Sequence, residues 1–143
     1  IIKPTYKDIS LCEEWHNFQN FGKWFENNYK EGWRIDKDVI CPYCKIYSPD
    51  TCDFLPDEIN GMFISSKSYR GDLPIGVTKH KKHYEAYFKG RFLGYSKDDV
   101  DYLFNLYKTT REKYTKEIAE KYKDKIKPET YQALMNYQVK ITD

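Results

Sequence analysis

The order of apolar, basic and turn-forming residues predicts an α+β protein: a small irregular α/β module, then a three-stranded antiparallel sheet packed on a long helix, with a short C-terminal helix. Three observations carry this. Aromatic and apolar residues recur at three- and four-residue spacing between Leu11 and Tyr29, the period of a helix. Three short alternating runs follow one another between Ile75 and Tyr95, joined by brief basic turns. An apolar stripe at helical spacing then runs from Val100 to Tyr122.

The first helix is expected over Leu11–Tyr29. Leu11, Trp15, Phe18, Gly22, Phe25 and Tyr29 form its stripe, widened by Phe21 and Trp24. Ser10, followed three positions later by Glu13, reads as a capping box that starts it. These aromatics are read as core rather than as a ligand platform. Residues 30–60 are broken by Gly32, Pro42, Pro49 and Pro56 into short pieces. Residues 33–40 suit a strand. Ser48 before Pro49 and Asp50 suggests the cap and first turn of a short helix. Residues 61–72 read as a polar linker.

In the second half Ile75–Val77 opens a strand, Tyr84–Phe88 is a second and Arg91–Tyr95 a third. Lys79–His83 and Lys89–Gly90 are the turns. Ser96 is the expected cap of the long helix, with Asp98 and Asp99 favourably placed in its first turn. Val100, Leu103, Phe104, Tyr107, Tyr114, Ile118 and Tyr122 mark its apolar stripe. Pro128 at the first helical position opens a last helix through Tyr137. The expected division is a module over 1–66 and a second over 67–143.

At 143 residues and 17.2 kDa the chain suits one average domain or two very small ones. With 32% charged residues, a mean hydropathy of −0.86 and no apolar run near ~20 residues, no membrane partner is expected. The 17% aromatic content argues against disorder. The chain begins at Ile1, so a trimmed or processed piece is expected. The net charge of +2 is unevenly spread: residues 1–60 hold 7 Lys and Arg against 11 Asp and Glu, and residues 61–143 hold 17 against 11. Residues 67–91 alone hold 7 against 2, which points to a polyanion-binding module beside an acidic one.

The run from Gly76 to Tyr114 resembles the Apetala-two/ethylene-response-factor DNA-binding domain. Gly76-Val77, Tyr84–Phe88 and Leu93-Gly94-Tyr95 match its order and spacing. The resemblance implies a three-stranded sheet lying in the major groove of double-stranded DNA, with its other face packed on the helix. Alternation puts Tyr84, Ala86 and Phe88 on one face, Glu85 and Tyr87 on the other. The expected DNA-binding residues are Lys79, Lys81, Lys82, Tyr84, Lys89 and Arg91. Lysines position the protein on phosphates, and Arg91 is the candidate base reader, since arginine pairs with guanine through two bonds. This chain carries less arginine on the strands than plant members of the family. His80 and His83 are read as phosphate-facing or solvent-exposed rather than as metal ligands. Glu85 is either an internal counter-ion or an acceptor for a cytosine amino group.

The segments Leu11–Tyr29, Arg34–Val39, Tyr47–Cys52 and Glu58–Asn60 resemble phage-encoded HNH-type endonuclease-like proteins with an Apetala-two-like C-terminus. The closing YQALMNYQVKITD also fits that group. This likeness implies further sequence before Ile1 and an intracellular setting, the cytoplasm of a bacterial host. HNH nucleases use a histidine as general base and a side chain that holds one divalent cation, such as magnesium, at the scissile phosphate. Carried over by position, the catalytic candidates are Asp36, Lys37, Asp38 and Asn60. Lys37 stands where the histidine is expected, and a lysine is a poor base near neutral pH. A finger retained for fold or DNA docking is the favoured reading; a metal-dependent, homing-type nicking enzyme is the alternative. A protein-interaction module with an aromatic surface is a third.

Cys12, Cys41, Cys44 and Cys52 all fall in the first half. The Cys41-x-x-Cys44 spacing is that of a zinc knuckle, and the other two would complete a tetrahedral structural site. The resemblance places cysteines at Cys12 and Cys52 as well but not at the CPYC pair, so reduced thiols and disulfides stay open beside zinc.

Overall fold

The computed structural model describes residues 8–63 and 70–143. Its elements are β1 (Ser10–Leu11), α1 (Glu13–His16), α2 (Phe18–Asn28), β2 (Arg34–Asp36), β3 (Ile46–Tyr47), β4 (Asp53–Leu55) and α3 (Asp57–Asn60), with a 3-10 turn at Gly61–Phe63. Then come β5 (Val77–Lys79), β6 (Tyr84–Phe88), β7 (Arg91–Ser96), α4 (Val100–Tyr122) and α5 (Pro128–Met135). The α+β class therefore holds, with the three-stranded sheet, long helix and short C-terminal helix in the expected order. The described residues fall into two compact units. One holds those before residue 64 together with Tyr122–Ala133; the other holds Arg70–Lys121 together with Leu134–Asp143. Of the linker expected over 61–72, residues 64–69 lie outside the described residues, and Gly61–Phe63 form the 3-10 turn. Among the described residues no helix is long and apolar enough to cross a membrane.

In the first unit, the single helix expected over Leu11–Tyr29 is two. Ser10 and Leu11 pair in parallel with Ile46 and Tyr47, so Ser10 is a strand residue and not half of a capping box. Asn17 takes an extended conformation (φ −85°, ψ 112°) after α1, and its side chain accepts from the Gln19 amide at 2.9 Å to cap α2. An asparagine that bonds its own backbone offers the chain an alternative to helix, which is the physical reason for the break. Phe18, expected in the stripe, is left 80% exposed. The strand expected over 33–40 is confined to Arg34–Asp36, because the Asp36 carboxylate accepts from the Val39 amide at 2.9 Å and turns the chain. The helix expected at Ser48 stops after one turn. Thr51 and Cys52 donate to the Ser48 carbonyl, and the chain then enters β4, which is held antiparallel by β2.

Phe54 on β4 is the centre of this unit's core and is 1% exposed. The rings of Trp24, Phe25 and Tyr29 stand 5.5, 5.4 and 5.8 Å from it, so the aromatics of α2 are packing residues. Such ring clusters contribute roughly 0.5–1.5 kcal/mol per pair beyond their area burial. Next to Phe54, the buried Asp53 accepts from the Lys127 amide (2.9 Å) and the Thr130 hydroxyl (2.6 Å). The start of α5 is thereby tied to β4.

In the second unit β5, β6 and β7 form an antiparallel sheet in that order. Lys89 (φ 50°) and Gly90 (φ 78°) make the two-residue turn between β6 and β7, whose positive φ values match the twist of the strands. Val77, Ala86, Leu103, Phe104, Tyr107 and Val139 are the buried core, with Tyr84, Phe88 and Leu93 packed against it. Gly76 (φ 83°) precedes β5, and a Cβ there would meet the Tyr107 ring, so the first strand starts at Val77 rather than Ile75. Ser96 ends β7 and does not cap α4: its hydroxyl takes the Asp98 and Asp99 amides, while Asp99 accepts from the Tyr102 amide at 2.9 Å and is the cap. Arg111 and Thr115, unexpected on the apolar stripe, are buried in it. Arg111 donates to the Tyr107 hydroxyl and lies over the Tyr107 and Tyr137 rings, while the Thr115 hydroxyl returns to the Arg111 carbonyl. The last helix ends at Met135, two residues before the expected Tyr137, where the chain makes a tight turn onto the Leu134 carbonyl.

Candidate nucleic-acid interface

Register decides which side chains of the sheet are available. Val77 faces Ala86 and Ala86 faces Gly94 across the strands, and this layer packs on α4. Thr78, Glu85 and Tyr95 form the neighbouring row, joined by Tyr87 opposite Phe92, and share the uncovered face. The pairing slips between Ala86 and Tyr87, whose partners are Gly94 and Phe92, so Leu93 is an extra residue that turns into the core. That bulge leaves Phe92 50% and Tyr95 65% exposed on the face away from α4.

Glu85 is the hub of this face. Its Oε1 pairs with His83 Nε2 at 2.7 Å, and its Oε2 with His80 Nε2 at 3.1 Å. The Tyr87 hydroxyl donates to Oε2 at 2.6 Å. The bonds from Tyr87 and His83 hold the Glu85 carboxyl below its usual range, and the same bond pushes the Tyr87 hydroxyl up. The two imidazoles stack 5.3 Å apart at 10°, and His83 meets Tyr95 edge-on at 5.9 Å. With two donors bonded to it and His80 alongside, Glu85 organises the face. A cytosine would find most of its acceptor capacity in use.

The expected DNA-binding residues are not all together. Lys81 and Lys82 are exposed in the turn between β5 and β6, where with His80 and His83 they line an open depression of about 470 Å³. Lys79 pairs in register with Tyr84 and Arg91 with Phe88, which places all three on the helix-side row. Lys79 and Arg91 are exposed at its ends. Lys89 donates to the Tyr114 hydroxyl of α4 at 2.9 Å and lies over that ring. Phe92 and Tyr95 were not singled out from the sequence. The extra residue in β7 hides their common face from a simple alternation.

The HNH-like candidates sit in the first unit. Asp36 lies opposite Asp53 in the β2–β4 pair, is engaged by the Val39 amide, and is pushed up by burial. Lys37 is buried, donates to Asp38 Oδ1 at 2.5 Å and lies over the Tyr47 ring. Asn60 closes α3. Lys37 is thus an ion-pair partner to its own neighbour. Among the described residues no three His, Cys, Asp or Glu side chains form a group that could hold a metal ion. Cys41 and Cys44 are joined as a disulfide. Cys12 is half-buried at the cap of α1, and Cys52 is buried, with burial pushing its thiol up.

No protein-family model, no curated protein and no solved structure matches the chain.

Proposed function

We propose that the protein binds double-stranded DNA by laying the uncovered face of its three-stranded sheet in the major groove. The observation that carries this reading is the one-sided cover of the sheet. α4 occupies the Val77–Ala86 face, and the opposite face presents Phe92 and Tyr95 beside the basic turn that carries Lys81 and Lys82. Lys81 and Lys82 stand in the turn before β6, whereas Lys79, Lys89 and Arg91 lie toward α4. A five-residue strand spans about 17 Å and the major groove is about 12 Å wide, so a sheet lying in the groove brings the lysines at this end of β6 to the phosphates along its edge. Tyr95 and Phe92 between them suit apolar contact with thymine methyl groups.

Gel retention of a duplex tests this with K81A/K82A beside the unaltered protein. Loss of retention with an unchanged thermal melt supports the sheet as the reader. Equal retention contradicts it. Magnesium is included in one arm, and nicked duplex there would assign chemistry to Asp36, Lys37, Asp38 or Asn60.

A further inference from the structure

We propose that the turn His80-Lys81-Lys82-His83 is a phosphate clamp whose grip is set by protonation of its two histidines. The proposal rests on the reading of this face as a nucleic-acid interface and adds its regulation. His83 Nε2 bonds the Glu85 carboxylate at 2.7 Å, and His80 Nε2 lies 3.1 Å from the same carboxylate as an ion-pair partner. An ionised carboxylate only accepts, so the bonded His83 Nε2 carries its hydrogen. In the neutral His83 ring this leaves a bare lone pair on Nδ1, which repels a phosphate oxygen. Protonation converts that Nδ1 to a donor without disturbing the bond to Glu85, and protonation of the stacked His80 adds a second charge beside it.

The groups around the pair make that change large. The turn contributes Lys81 and Lys82, β6 contributes Glu85 and Tyr87, and β7 contributes Tyr95 against the His83 ring. Lys79 of β5 belongs to the helix-side row, 6.0 Å from the Tyr84 ring. With neutral histidines the local charge is two lysines against one carboxylate, or +1; with both protonated it is +3. The rings are stacked 5.3 Å apart on one depression that four cationic or protonatable side chains line. The turn is closed by the His80 amide on the His83 carbonyl at 2.8 Å, so its geometry precedes the ligand. Backbone phosphate of a nucleic acid and free phosphate share the chemistry that would be held here.

Two probes separate the sources. The first is a duplex of about 20 base pairs, titrated at pH 6.0 and 7.5 at one fixed salt concentration with the unaltered protein and with H80Q/H83Q. Duplex affinity is expected to be at least about tenfold higher at pH 6.0, the worth of one charge-assisted hydrogen bond. H80Q/H83Q is expected to bind equally weakly at both. The second probe is inorganic phosphate, followed by imidazole nitrogen resonances. The chain has three histidines, and His16 serves as the internal control. Phosphate is expected to move His80 and His83 at pH 6.0 and not at 7.5. A response to phosphate without duplex binding at either pH keeps the clamp and removes the DNA reading. Duplex binding that is equal at both pH values, or whose pH dependence survives in H80Q/H83Q, overturns the clamp and leaves the DNA reading standing.

Discussion

Asp53 Oδ2 accepts a 2.6 Å hydrogen bond from the Thr130 hydroxyl, 77 residues further along the chain, and both side chains are buried. The same oxygen takes the Lys127 amide, and Lys127 Nζ reaches the Pro49 and Cys52 carbonyls. The first unit is therefore closed by a polar knot next to Phe54 rather than by apolar area alone. Removing one partner of such a bond leaves the other buried and unsatisfied, at a cost of about 1–3 kcal/mol. Thr130→Val is expected at the low end, and Asp53→Ala, which removes the acceptor of the Phe54 amide, the Lys127 amide and the Thr130 hydroxyl, at the high end or above. Denaturant unfolding measures both; an Asp53→Ala midpoint equal to that of the unaltered protein contradicts the assignment.

Gly76 and Gly94 make a graded pair. A Cβ on Gly76 would lie 2.1 Å from the Tyr107 ring at a φ of +83°, whereas one on Gly94 would lie 2.9 Å from a terminal methyl of Leu106. A ring in a packed core cannot yield as a leucine methyl can. Gly76→Ala is expected to destabilise by about 3 kcal/mol or more, and Gly94→Ala by about 1 kcal/mol. The order of the two melting temperatures is the check, and its reversal contradicts the packing described.

Glu85 sets a pH dependence. Its folded pKa lies below the unfolded one, so its contribution is fully present above the unfolded value, about 4.3, and is lost as pH falls through the folded value. The melting temperature of the unaltered protein should exceed that of Glu85→Gln at pH 6, with the gap closing from about pH 5 downward. A gap that stays constant to pH 3 contradicts the hydrogen-bonded carboxylate.

The cysteines can be counted. Four are in the chain, and two are paired. Protein prepared without reductant should show Cys12 reacting first, Cys52 only on unfolding, and Cys41 and Cys44 only after reduction. Four thiols on unfolding without reductant contradicts the Cys41–Cys44 pair.

What could be read in advance follows from how local each determinant is. The alternation of Tyr84–Phe88, the Lys89–Gly90 turn and the stripe of α4 are short-range patterns, and the sheet and helix follow from them. Asn17 breaks the first helix through a bond to its own backbone, which periodicity averages over. Arg111 and Thr115 look like surface residues in the sequence because their charge and hydroxyl find their partners within the fold, among them Tyr107 and the helix backbone. Asp53 depends on Thr130, far away in sequence. At the candidate interface the basic turn was visible as composition. The meeting of His80, His83 and Tyr87 on Glu85 needs the β5–β6 register. The outward position of Phe92 needs the extra residue Leu93.

The most direct test of the account is the slope of log affinity against log salt for a duplex, taken with the unaltered protein and with Lys81→Ala/Lys82→Ala. Each phosphate neutralised contributes about −0.9 to that slope. A steep negative slope of about −3 to −5 is expected, made shallower by about 2 in the double variant. A flat plot, or a slope the double variant leaves unchanged, contradicts DNA binding by this sheet.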